Sequence, residues 1–270
     1  MVAPSAEARS GLRRPAIAWP TSVVRSAPAA LLGLAIAILW QALAPSGGAV
    51  PPPSEVGRAL WHGFADGDLG ALTARSVGAM ALAFSVSVVV GVSGGLLLAT
   101  RTLADRAVSP YLVGLQSLPS IVWIPVAVLV LGASESAVLL VTVVGALPSI
   151  AIGTRDAVQG VPPLILRAAR TLGTGRRSML LRVIVPAALP GIVSGLEHGW
   201  AFAFRALISG ELITGAKDTG LGAFIDVARK TGHSDRLFAG VVVILLVGVV
   251  VDRLLFARVQ RRLRLSRGLA

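Results

Sequence analysis

Cysteine is absent from the 270 residues, which excludes disulfides, thiolate metal ligands and a cysteine nucleophile. Histidine is nearly absent: His62, His198 and His233 lie far apart and show no metal-ligand spacing. Charge is scarce, at 14% of residues against roughly 25% in soluble domains. Acids are the rarer sign, 13 Asp and Glu against 25 Lys and Arg, leaving a net charge of +12. With so few acids, a membrane acyl- or phosphotransferase lacks its clustered nucleophile, base or metal. The positive charge is no nucleic-acid footprint either, since no run of interleaved basic and aromatic residues tracks a phosphate backbone.

What is present is apolar, 54% of the chain, with a mean hydropathy of +0.79. Six runs, at about 28–44, 76–99, 108–131, 135–153, 187–213 and 237–256, approach the roughly 20 residues that cross a bilayer core. Helices satisfy their own backbone groups where water is missing, so the expected fold class is all-α, a polytopic membrane protein. Residues 1–27 read as a cytoplasmic tail, 28–257 as the membrane domain and 258–270 as a basic tail. A cleaved signal peptide is the competing reading of the first run. Trp40, the APSGG that follows and the long preceding tail favour an uncleaved helix. With the N-terminus inside, 18 of the 25 Lys and Arg fall in inner segments and 6 in outer loops, Arg205 lying within a span. That bias puts both termini in the cytoplasm.

The inner segment 162–186 is the most patterned part of the chain. Pro162 and Pro163 suit a first helical turn, and Gly173-Thr174-Gly175 breaks the chain. Arg176 to Val185 forms a second short helix before Pro186 in this reading. Leu166, Ala169, Leu172, Leu180, Leu181 and Val183 supply apolar contacts while the arginines face elsewhere. Two short helices with a bend make a rigid projection, unlike a flexible linker. On the outer side, Val56, Leu60, Trp61 and Phe64 fall at helical spacing, as in an interfacial helix. Glycines at 91–95 (GVSGG) permit close helix packing.

The inner loop resembles the signature of binding-protein-dependent ABC importer permeases, E-A-A, three residues, G, nine residues, I-x-L-P. Here the frame reads Arg167-Ala168-Ala169, then Gly173, then Val183-Ile184-Val185-Pro186, with Arg167 in place of the usual acid. The stretches SLPSIVWIPVAVLVLG (117–132), RVIVPAALPGIVSGL, RALISGELI (205–213) and GLGAFI (220–225) are similar to the nitrate/sulfonate/taurine/bicarbonate branch. The resemblance implies a type I importer permease, a transport subunit and no enzyme. It implies a coupling element seated on a cytoplasmic ABC ATPase, formed here by Arg167, Ala168, Ala169, Arg170, Leu172, Gly173 and Pro186. It also implies two ATPase copies using ATP and magnesium, no cofactor bound by this chain, and an external or lipid-anchored solute-binding protein. The second permease subunit is expected to be another copy of this chain, in the bacterial inner membrane.

Ionisable residues inside spans are functional candidates, because hydrocarbon makes them costly. Arg205 and Glu211 occupy the fifth span, about 240° apart around a helix, so they do not pair on one face. Arg205 reads either as an anion-attracting group or as a structural arginine paired with Glu197, with Glu211 of another subunit or with backbone carbonyls. Glu211 reads either as a pathway residue or as a cap near the outer end. Pro119 and Trp123 mark a kinked cavity wall. Glu197 and His198 read as a proton relay or as helix-packing groups. GELITGAK at 210–217 mimics a phosphate-binding loop but offers no Ser or Thr for magnesium. The expected function is the membrane pathway of an importer for a small anion. The alternatives are a different cargo, such as a pyrimidine-like thiamine precursor, or a secondary carrier, which would need more embedded acids.

Overall fold

The computed structural model describes residues 21–44, 48–214 and 220–265, with the side chains of all of these except 21–30 and 264. The first 20 residues of the expected N-terminal tail, Lys217 of the phosphate-loop mimic and the last residues of the basic tail lie outside them. Among the described residues every regular element is helical. In chain order they are α1 (Thr21–Leu43), α2 (Pro53–Ala65), α3 (Asp68–Thr100), α4 (Thr102–Ser117), α5 (Trp123–Leu131), α6 (Glu135–Gln159) and α7 (Pro163–Thr171). Then follow α8 (Arg176–Thr214), α9 (Leu221–Lys230) and α10 (Ser234–Leu263).

Among the described residues, α3, α6, α8 and α10 are long and apolar enough to cross a membrane, and α4 with α5 forms an apolar pair bent in the middle, a broken span or a re-entrant loop. The part of α1 with described side chains, Leu31–Leu43, is a shorter apolar helix with exposed leucines and isoleucines. By length and composition the described residues hold four such helices, or five where the bent pair counts as one span, beside this shorter apolar helix.

The run 108–131, expected as one span, turns by 94° at residues 118–119. The ring of Pro119 drives Leu118 out of helical space, to φ −77° and ψ 133°, and Pro119 itself is extended. A 3-10 turn at Ser120–Val122 restarts the chain as α5. Hydropathy is blind to this bend, because it sums residues without regard to direction.

A second correction concerns Pro186, expected as the boundary between a short helix and the fifth span. It interrupts nothing: α8 runs 39 residues from Arg176 to Thr214, about 58 Å at 1.5 Å per residue. The residues just before the proline, Met179–Ile184, are wound as a π-helix. A widened turn gives room for the ring and tolerates its missing N–H, so the rod continues.

Glycine sets the core. α6 lies between α3 and α8, and each approaches it through a stripe of small residues. A Cβ on Gly153 would come within 2.7 Å of Gly195 Cα, and one on Gly191 within 2.7 Å of Ala157 Cβ. Gly199 leaves room for Ile150 in the same way. On the other face, a Cβ on Gly91 would meet Ile150 at 2.8 Å and one on Gly95 the Ala151 carbonyl at 2.5 Å. Lipid offers no hydrophobic drive between apolar helices, so close backbone contact holds them together. Met80, Val138, Ala146, Ile150, Ala203 and Leu207 fill the centre. On α2, Val56 and Leu60 turn inward, while Trp61 and Phe64 are exposed.

Candidate functional site

The segment after α6 builds an elbow. Pro162 and Pro163 start α7, where the missing N–H groups cost nothing. The helix stops at Gly173, whose φ of +74° suits glycine. Its closure is a double bond pattern: Gly173 N–H donates to Arg170 O at 3.0 Å and Thr174 N–H to Ala169 O at 3.2 Å. This is the Schellman arrangement, with glycine at the left-handed position. The chain re-enters helix at once, Met179 N–H donating to Gly175 O at 2.8 Å.

α7 has two faces. Leu166 packs against Val158, Val161, Ala188 and Ile192, and Ala169 is 8% exposed. The opposite face shows Leu164 at 74% and Leu172 at 85% exposure, with Ala168 between them at four-residue spacing. Leu172, one of the residues expected in the coupling element, points outward. Arg167 and Arg170 are exposed on the same projection. The elbow is an apolar stripe edged with guanidiniums, fixed to the ends of α6 and α8.

At the other end of α8, Glu211 is 2% exposed. Ser76 Oγ lies 2.7 and 2.9 Å from its carboxylate oxygens, and Gly222 N–H donates to Oε2 at 2.9 Å. Leu221 N–H donates to Ser76 Oγ at 2.9 Å. The carboxylate and the hydroxyl together cap the start of α9, whose first-turn N–H groups have no partner within the helix. Backbone must come very close here. A Cβ on Gly222 would sit 2.6 Å from Ile208 O, and one on Gly220 would collide with the carboxylate itself. Of the two readings of Glu211, the contacts are those of a cap.

α9 and the adjoining ends of α2, α3 and α10 enclose a cleft of about 600 Å³, lined by Glu55, Arg58, His62, Asp68 and Arg236 among others. On α9, Asp226 accepts from Lys230 at 2.5 Å and Arg229 at 2.8 Å. Those two cations hold its carboxyl below the ordinary aspartate range.

Arg205 lies six residues before Glu211 on α8 and is exposed. Its Nε donates to Ala201 O at 2.9 Å, and its guanidinium carbon lies 4.9 Å from the Phe202 ring centroid. The break in the third run is at the same level. Ser120 and Ala206 both border Gly145, and Trp123 packs on the cluster of Ile124, Val141 and Ala206. The structure thus brings Pro119, Trp123 and Arg205 to one level of the bundle and leaves Glu211 apart. Glu197 accepts from Gln260, and His198 Nδ1 lies 2.7 Å from Ser194 O.

Sequence reading missed Ser76, Gly220 and Gly222 around Glu211, and Leu164 on the elbow. The glycine pair flanking Leu221 was the available signal for close backbone approach.

A bundle of apolar helices with small-residue seams, a bent helix pair and a stiff basic elbow defines a transport permease. Residues 87–265 match the family described as the binding-protein-dependent transport system inner membrane component, and the chain belongs to it. It is 27% identical to the bicarbonate transport system permease protein CmpB of Synechocystis, over 82% of each chain. It is 27% identical to the nitrate import permease protein NrtB of Synechocystis, over 92% of this chain and 94% of that one. Against the taurine transport system permease protein TauC of Escherichia coli the identity is 27%, over 91% of each. Among solved structures, a chain of the MetNI methionine ABC transporter in an inward-facing conformation superposes with a TM-score of 0.59, at 21% identity. That alignment covers 70% of this chain and 93% of the other, and the two share a fold.

Proposed function

We propose that this chain is the membrane subunit of an ATP-driven importer for a small anion of the nitrate, bicarbonate or sulfonate kind. In this reading the elbow 162–186 docks on a cytoplasmic ABC ATPase, and two copies of each subunit make the transporter. An external solute-binding protein delivers the cargo, both termini lie in the cytoplasm, and ATP with magnesium is used by the partner.

The observation that carries the reading is the elbow. Its outer face offers apolar side chains to a groove, and its inner face is bolted to the core. From there α8 continues without interruption to the capped mouth at Glu211. A displacement at the elbow is thereby delivered along a single rod, and rigid bundles rocking about a central site alternate access. The names of the relatives support the anionic cargo. Arg205 supports it as well: its side chain is exposed, with Nε donating to a backbone carbonyl. A planar donor fork suits oxyanions.

Cells expressing the intact transporter, offered labelled nitrate, bicarbonate and taurine in turn, test the cargo. Arg205→Ala is expected to lower uptake of the transported anion about 10-fold or more, one lost charge-assisted contact, with ATPase capture unchanged. Normal uptake in that variant removes Arg205 from the pathway. No uptake of any of the three removes the anion assignment.

A further inference from the structure

We propose that the ion pair between Asp105 and Arg155 is the clamp that passes elbow movement to the bend between α4 and α5. The proposal rests on the lever reading above and extends it to named positioning residues. Arg155 grips Asp105 with both arms, Nε to Oδ1 at 2.6 Å and an Nη to Oδ2 at 2.9 Å. Gln159 Nε2 donates to Oδ2 at 3.1 Å, and Ser109 Oγ donates to Oδ1. The remaining Nη of Arg155 donates to Asp156 at 2.8 Å. Both carboxylate oxygens are thus doubly engaged, and the paired side chains are only 13% and 26% exposed. A bidentate guanidinium–carboxylate pair fixes orientation as well as distance.

Its place in the fold gives the clamp a role. Arg155 and Gln159 occupy the last turns of α6, which leads through Gly160, Val161 and Pro162 into α7. Val158 and Val161 on that same end support Leu166 of the elbow. Asp105 occupies the first turn of α4, which ends at the 94° bend before Pro119. From Asp105 to Ser117 the helix is about 18 Å long. The side-chain chain therefore runs from Leu166 through the end of α6 to Arg155, Asp105 and the bend. The bend is at the level of Arg205. A contiguous network of packed and hydrogen-bonded groups of this kind can carry coupling between distant sites. With the clamp intact, α4 moves as one body with the elbow. Without it, the elbow turns and the bend stays.

The test uses the assembled transporter in lipid nanodiscs and asks about movement, so it needs no cargo. The chain has no cysteine, and Ser117 is exposed beside the bend. Ser117→Cys then reports the bend through its maleimide labelling rate with and without ATP. We expect Asp105→Asn and Arg155→Gln each to cut the ATP-dependent change in labelling about 10-fold. ATPase capture and basal ATP hydrolysis should persist. The swap Asp105→Arg with Arg155→Asp should restore the response, and Asp105→Glu should keep it. A merely stabilising pair would lower melting temperature in the single variants and leave the labelling response unchanged; that result overturns the clamp. So does a response lost in the single variants and restored by neither the swap nor Asp105→Glu. Failure of the unmodified chain to capture ATPase at all sinks the lever reading first, and the clamp with it.

Discussion

Leu172→Asp is expected to detach the ATPase from the membrane subunit while the membrane subunit itself folds normally. Leu172 is 85% exposed, so its replacement removes almost no internal packing. Exposed substitutions of this kind change stability by about 0.5 kcal/mol at most. At a docked interface the same change removes an apolar anchor and forces a carboxylate out of water. Such a loss is worth about 3 kcal/mol, or roughly 100-fold in Kd. Capture of the ATPase from detergent extracts should fall by that factor, and uptake should fall with it. Gly173→Arg attacks the same elbow by another route. At φ +74° a side chain costs about 1 kcal/mol or more, and the turn that exposes Leu172 is disturbed. Ala169→Glu inserts a charge on the buried face of α7 and should be the most severe of the three. Full capture and normal uptake in all of them would mean that the elbow docks on nothing.

The second large effect is expected at the opposite end of α8. Glu211→Ala strips the acceptor from Gly222 N–H and from Ser76, and leaves those donors buried. Each buried unsatisfied group costs about 1–3 kcal/mol, so a total near 3 kcal/mol is expected. The loss should appear as a lower melting temperature and as protease cleavage around α9 in vesicles opened to that face. Gly222→Val should match it by a different cause, because its Cβ would press on the Ile208 carbonyl and the Leu212 nitrogen at 2.6 and 2.8 Å. Neither neighbour is a side-chain end that can swing away. If Glu211→Ala melts like the parent and abolishes uptake, Glu211 belongs to the pathway and not to the cap.

The two ends of α8 differ in how plainly the sequence announces them. The elbow was legible because its determinants are local: prolines open α7 and a glycine closes it within one short segment. Glu211 itself stood out as an embedded acid, but its partner did not, because Ser76 lies 135 residues away. The clamp partners Asp105 and Arg155 are likewise 50 residues apart. Proline was the least reliable sign. Pro119 breaks its run, whereas Pro148 and Pro190 sit inside continuous helices and Pro186 follows a π-wound segment. Context decides between these outcomes, since a packed neighbour or a widened turn can absorb the ring. The glycines at 91–95 were read as a packing site, whereas those at 191, 195 and 199, which recur every four residues, were not. Their partner on α6 became visible only when the helices were seen together.

The central claim, that the elbow meets a cytoplasmic engine, is tested most directly by a single reporter. With no cysteine in the parent chain, Leu172→Cys provides one thiol at the tip of the elbow. A maleimide that cannot cross lipid is predicted to label it in inverted vesicles, to miss it in right-side-out vesicles, and to be blocked once the ATPase is bound. Labelling from the outer face, or labelling unaffected by the ATPase, would contradict the account.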